Sequence, residues 1–396
     1  MPDPSPLARR NIMFVRVSWH LGAATGVDRA VTTLAFALAH AGHRVVIATA
    51  AEQPDGVGPP GVLVEQLDLP ITLPCTPQIL RNALVTSNQK ILNSLYDLVV
   101  RHQSDTVVCV GALSGLGRLP TDLPDGVQRA LMVPTLQQEP ELDMPSALAH
   151  ADTIITSCDA VLQQATAAAW PTRRWCVVPI PPLHGPARGP SAAPVARRAE
   201  GPVRVLAPAG PDVGVLGVIA AAKAWHRTVE IALDHPGLGD VRGTGVLRQQ
   251  CQALADQAPN ITLQPTPGWA EVSNWLAGAA AVIIPCLRPT SSLTALEALS
   301  RGTPVIAYNT AVLAELLQPL QHGPRRLLAD VMHGPNALLF LTDRLLADPA
   351  SYRTTCHAAH HHTQDFQPAR IADLFCSAVP MNNTSRTNRP APPRMD

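Results

Sequence analysis

Apolar residues in this chain come in short compact runs that alternate with stretches of helical spacing. The run Asn11 to Val17 is apolar and ends in a glycine-containing turn, which is the pattern of a buried parallel strand. Val27, Val31, Leu34 and Leu38 then recur at helical spacing, Gly42 stands where a helix should end, and Arg44 to Thr49 is short and β-branched. This is one strand–helix–strand unit. Further strands are expected at Thr106 to Val110, Leu131 to Val133, Thr153 to Thr156 and Cys176 to Val178, with a helical stretch at Gln78 to Arg101. Such alternation predicts an open, parallel α/β sheet.

Residues 183–202, LHGPARGPSAAPVARRAEGP, are rich in proline, alanine and arginine and have no apolar period, so they interrupt the pattern as a linker would. The alternation then restarts, with strands at Val203 to Ala207, Val229 to Leu233, Asn260 to Leu263, Ala280 to Pro285 and Pro304 to Ala307. Helices are expected between them at Gly214 to Trp225, Gly245 to Asp256, Trp269 to Leu276 and Ser292 to Arg301, and after them at Pro335 to Leu346 and Ala350 to Phe375. The chain therefore divides into a first domain at 1–184, a linker at 185–202, a second domain with terminal helices at 203–380 and a disordered tail at 381–396. Two doubly wound domains in series would place strand C-terminal ends and helix N-termini of both at one cleft, where ligands bind.

Composition narrows the ligand class. Charged residues make up 15% of the chain, with 30 basic against 30 acidic side chains, so no global field recruits nucleic acid or an anionic membrane. Eight scattered cysteines show neither C-x-x-C nor metal-ligand spacing, which points to free thiols in a reducing cytoplasm. The N-terminus lacks the apolar core of a signal peptide, and no apolar run approaches roughly 18 residues. A cytoplasmic protein without a membrane span, acting on small molecules, is the expectation.

Candidate chemistry concentrates in PCLRPTSSLTALEALSRGTPVI, residues 285–306. Thr290, Ser291 and Ser292 precede a helix, where their amides and hydroxyls either cap it or surround an anion at the positive end of its dipole. Glu297 lies four residues after Leu293 and one after Leu296, on or beside the apolar face, so its carboxylate needs a partner. A sugar diol would be one, through two charge-assisted hydrogen bonds. An i,i+4 surface pair with Arg301 would be the other, at about 0.2 to 0.5 kcal/mol.

The order strand, P-x-x-x, polar loop, L-x-x-L-E-A-L, x-x-G-T-P-V-I resembles the donor-binding segment of retaining GT-B glycosyltransferases of the GT4 type. The resemblance extends to GVDRAVTTLAFALAHAGHRVVIAT at 26–49, to ADTIITSCDAVLQQ at 151–164 with VVPIPP at 177–182, and to HTQDFQPARIADLF at 362–375. It implies a GT-B fold of two Rossmann-like, doubly wound parallel-sheet domains facing a cleft. It further implies that Glu297 binds the nucleotide ribose, that amides around Ser291 to Leu293 face the sugar and diphosphate, and that the turn Gly22 to Gly26 approaches the diphosphate from the first domain. The donor-binding set is then Glu297, Thr290, Ser291, Ser292, Leu293, Arg288, Gly22 and Gly26. No catalytic side chain, resident cofactor or metal is implied; the nucleoside diphosphate sugar is a co-substrate and a small molecule the acceptor.

Three positions depart from that family's pattern. Pro289 stands where a sugar-contacting glutamate is usual, and a proline offers neither charge nor an amide donor. The family's diphosphate-binding arginine and lysine should fall within 207–222, where there is no basic residue before Lys223. No histidine occurs in 132–140, where the family carries one. Arg204, Arg242, Arg248, Arg288 and His235 are the substitutes nearest in sequence, with Arg288 in the phosphate-facing loop. These departures leave two alternatives to sugar transfer: a catalytically silent GT-B protein that binds a nucleotide, glycan or protein partner, and an epimerase acting on the donor alone. Elsewhere, His357, His360 and His361 have helical spacing without a supporting cysteine or carboxylate cluster, Trp170 and Trp175 are expected to pack near the end of the first domain, and Ser157 and Cys158 lack a nucleophile motif.

Overall fold

The computed structural model describes residues 9–18, 21–50, 59–73, 75–119, 123–136, 142–185, 198–208, 213–234, 241–287, 292–321 and 326–380. Two wholly parallel sheets organise it. The first contains β1 (Asn11–Val15), β2 (Arg44–Thr49), β3 (Val62–Gln66), β4 (Thr106–Val110), β5 (Gln128–Val133), β6 (Thr153–Thr156) and β7 (Trp175–Val177), in the order β3-β2-β1-β4-β5-β6-β7. The second contains β8 (Val203–Pro208), β9 (Val229–Asp234), β10 (Ile261–Gln264), β11 (Ala281–Ile284), β12 (Val305–Tyr308) and β13 (Leu328–Ala329), in the order β10-β9-β8-β11-β12-β13.

Helices cover both faces. In the first half these are α1 (Gly26–His40), α2 (Pro77–Thr86), α3 (Asn88–His102), α4 (Met144–His150) and α5 (Asp159–Ala167). In the second they are α6 (Val215–Ala222), α7 (Val241–Ala255), α8 (Val272–Ala277), α9 (Leu293–Ser300), α10 (Ala311–Leu317), α11 (Gly334–Leu346), α12 (Pro349–His362) and α13 (Pro368–Ala378). Strand β1 shows why the runs had to be apolar throughout: Met13 and Val15 enter the core on one face, Ile12 and Phe14 the core on the other.

The last helix leaves the second sheet and closes the core of the first. Ile371, Ala372 and Phe375 are buried beside Ile12, Phe14 and Leu34, with the Phe14 and Phe375 rings 6.2 Å apart. Arg10 fastens the helix end, donating to the carbonyls of Cys376 at 3.2 Å and Val379 at 2.5 Å while its other nitrogen donates to Thr106 Oγ1 at 2.7 Å. Several expected elements are subdivided. The stretch Gln78 to Arg101 is two helices broken at Ser87, and Ala350 to Phe375 is interrupted by a 3-10 turn at Thr363–Phe366 because Pro368 holds Gln367 extended. The Trp170 and Trp175 rings lie 6.4 Å apart against the core of the first sheet. All eight cysteines are free, and among the described residues no helix is long and apolar enough to cross a membrane.

Candidate functional site

Each sheet changes direction at its centre: β1 is flanked by β2 and β4, and β8 by β9 and β11. The space outside the carboxyl ends of those strands is the usual place for a ligand in such sheets. From the first sheet comes the turn that ends at Gly26, whose φ of 73° marks the start of α1. From the second, β8 leads to Gly214 at φ 72°, where a Cβ would stand 2.4 Å from the Pro285 carbonyl at the end of β11, so only glycine lets these loops approach.

Of the sequence-derived donor set, Ser292 caps α9 by position without a side-chain hydrogen bond, and Leu293 is its buried first residue. Leu293 packs with Leu21 and Ala30 in the core of the first domain, while Ala24 from the Gly22–Gly26 turn joins the core of the second. The two loops thus meet and exchange apolar side chains. Arg288, Thr290 and Ser291, with Pro289 and His235, lie outside the described residues.

Glu297 is 0% exposed, and its partner is not Arg301. Because α9 is buried from Ala295 to Ser300, the carboxylate meets the opposite domain instead of solvent: its Oε1 lies 2.5 Å from Arg29 Nη2 on α1. Arg29, itself 0% exposed, also donates from Nη1 to the carbonyl of Trp269, and Ser273 Oγ approaches Glu297 Oε1 at 3.4 Å. The pair is joined on one side only. Arg29 Nε and Glu297 Oε2 are buried and find no hydrogen-bond partner among the described residues. Arg301 retains an electrostatic role: burial lowers its pKa, and the Glu297 charge opposes that shift.

A second contact crosses the cleft where Asp234, at the end of β9, accepts from the Thr25 amide at 2.7 Å and hydroxyl at 2.8 Å. Behind it, Arg16 is committed to Asp28 at 2.8 Å, to the Val110 carbonyl and to Ser114 Oγ. Further out, Glu315 on α10 accepts from the amides of Asp159 at 3.0 Å and Ala160 at 2.6 Å, capping α5 from the other domain.

Of the remaining candidates, the Arg242 side chain lies outside what the structure describes, and the others serve elsewhere. Arg204 begins β8, at the sheet edge away from the carboxyl ends, and is held by Glu230 at 2.7 Å and over the Trp275 ring at 4.8 Å. Arg248 Nη2 donates to the Leu233 carbonyl at 2.6 Å. Ser157 donates to the Pro134 carbonyl at 3.1 Å, and Cys158 beside it is buried with its pKa raised by that burial. His357, His360 and His361 lie along α12, and among the described residues no group of three or more His, Cys, Asp or Glu is arranged to hold a metal.

Arg29, Thr25 and Asp234 are absent from the sequence-derived set. For Arg29 a signal existed: it is one of two full charges in α1, and a cation in the first turns of a helix opposes the dipole unless an anion faces it.

In comparisons with known proteins, the family described as glycosyl transferases group 1 matches residues 218–348. No curated protein matches the chain in sequence. Among solved structures, the sucrose-phosphate synthase of Thermosynechococcus elongatus superposes with a TM-score of 0.73 at 20% identity, over 93% of this chain and 98% of that one. Anabaena HepE in complex with UDP-glucose gives 0.70 at 14% identity over 94% and 99%, and WaaG, a glycosyltransferase involved in lipopolysaccharide biosynthesis, 0.61 at 13% over 93% and 99%. The chain has the GT-B fold and resembles the glycosyltransferases that share it, with the group 1 family match lying wholly in its second domain.

Proposed function

We propose that the protein transfers a sugar from a nucleoside diphosphate sugar to a hydroxyl or amine of a small acceptor, with retention, in the manner of GT4-type enzymes. The observation that carries this reading is Glu297: a fully buried carboxylate on the helix after a switch-point strand, with one oxygen unused and the glycine turn of the other domain beside it. An ionised carboxylate so placed suits a ribose diol. The group 1 family match and the UDP-glucose carried by HepE favour the same class of ligand. In this reading the donor site comprises Glu297, Ser292, Leu293, Gly22 and Gly26, with Arg288, Thr290 and Ser291, and the boundary between acceptor and donor domains falls at 185–202. The backbone amides at the start of α9 stabilise the departing diphosphate, and the acceptor attacks on the face that the diphosphate leaves, oriented by the closed cleft. No side chain acts as a nucleophile.

The test is thermal stabilisation by UDP, ADP, GDP and their glucose conjugates, with Glu297→Gln beside the wild type. One nucleotide class is expected to stabilise the wild type, by about 2.7 kcal/mol at a hundredfold excess over Kd, and to lose that effect in the variant. Full stabilisation of a folded Glu297→Gln would sink the assignment. Retention is read from the anomeric configuration of the product by NMR.

A second reading is a GT-B protein that binds a nucleotide, glycan or protein partner without transfer. Pro289 and the absence of a basic residue across 207–222 favour it. It predicts no product with any donor, even where a nucleotide binds.

A further inference from the structure

We propose that Arg29, on the first domain, is a cation that binds the donor's diphosphate, and that it reaches the phosphate by exchange, the ligand's hydroxyl groups taking its place on Glu297. The proposal rests on the nucleotide reading of the cleft and adds to it a residue from the opposite domain.

Three observations carry it. First, the ion pair is incomplete as a strut. A guanidinium and a carboxylate can meet through two parallel hydrogen bonds. Here they meet through one, and Arg29 Nε and Glu297 Oε2 stay buried without a partner among the described residues. The unused acceptor suits a hydroxyl donor, and the unused donor an anionic oxygen. Second, Arg29 is the fourth residue of α1, directly behind the Gly22–Gly26 turn and at the positive end of that helix. A cation and a helix N-terminus repel each other there, but both attract an anion placed between the domains. Third, the second domain carries no basic residue from Ala207 to Ala222 to neutralise a diphosphate. Across the cleft the other buried guanidinium of this wall, Arg16, is taken up by Asp28, Val110 and Ser114.

The exchange leaves neither group without a polar partner. Before binding, Arg29 neutralises Glu297; after it, Glu297 accepts from ligand hydroxyls and Arg29 faces the phosphates. The exchange therefore separates Arg29 from any purely structural residue, because its effect depends on phosphate.

The experiment is calorimetric titration of wild type, Arg29→Gln and Arg29→Lys with uridine and UDP, repeated with the adenosine and guanosine pairs. The wild type should prefer the diphosphate to its nucleoside. Arg29→Gln should lower diphosphate affinity about tenfold or more, the worth of one charge-assisted hydrogen bond, and leave nucleoside affinity within about threefold. Arg29→Lys should fall between them and decides the matter if Arg29→Gln does not fold. Equal weakening of nucleoside and diphosphate would make Arg29 a strut and overturn the proposal. A wild type that binds nucleoside and diphosphate equally would overturn it too. Binding of neither overturns the nucleotide reading itself, and this inference with it.

Discussion

At the scale of single residues, the informative contact is one that joins positions 268 apart in the chain, Arg29 and Glu297. Both side chains are fully desolvated, so the energetics are asymmetric: deleting one partner strands a buried charge, whereas replacing both by apolar groups does not. Arg29→Met or Glu297→Leu alone should each cost about 3 to 5 kcal/mol in urea unfolding. The double variant should cost clearly less than their sum. Additive losses would show that the two charges are not coupled in solution. Half of this site could be read from the sequence, since a carboxylate amid Leu and Ala on α9 advertises a need for a partner. The other half could not, because spacing along one helix nominates only neighbours such as Arg301, and the true partner belongs to another domain.

At the scale of elements, α13 depends on a small polar clasp. His43 accepts the Arg10 amide at Nδ1, 3.2 Å away, and its Nε2 lies 3.3 Å from Cys376 Sγ on α13. Burial, then the Arg10 guanidinium and more distantly Arg9, push the His43 pKa below 6.5, with Asp105 and Asp373 acting against them. The folded state therefore binds fewer protons than the unfolded chain just below pH 6.5. Stability from this group is complete above that pH and is lost as pH falls through the lowered folded value. Melting temperatures of wild type and His43→Asn between pH 5 and 7.5 check this. The variant should show the flatter acid limb, and parallel limbs would refute the role of His43. The elements most easily read in advance were the buried strands, because parallel β1, β4 and β6 are apolar on both faces and announce themselves as runs. Strand β3, an edge with alternating half-exposed residues, and β13, two residues long, carry too little apolar pattern to be seen. The break at Ser87 is set by local backbone conformation within continuous helical spacing, so periodicity passes over it, whereas the break at Pro368 is marked by the proline itself.

At the scale of the whole molecule, the domains are held together by contacts at separate points along the cleft. Thr25–Asp234 and Arg29–Glu297 lie at its floor, and Glu315 caps α5 further out. Glu315 is exposed and replaceable, so it reports on closure without disturbing either core. In Glu315→Ala the amides of Asp159 and Ala160 lose their acceptor and should exchange with deuterium faster than in the wild type, while amides within β5 and β6 keep their rates. Unchanged exchange at those two amides would mean that the cap does not persist in solution.

The return of α13 to the first domain also has a mechanical consequence. The chain joins the two sheets twice, once between β7 and β8 and once just before Pro368. The two sheets are therefore tied by two covalent joins, and breaking one leaves the other. A protease cut through the first join should consequently leave the halves attached, still hung by the second.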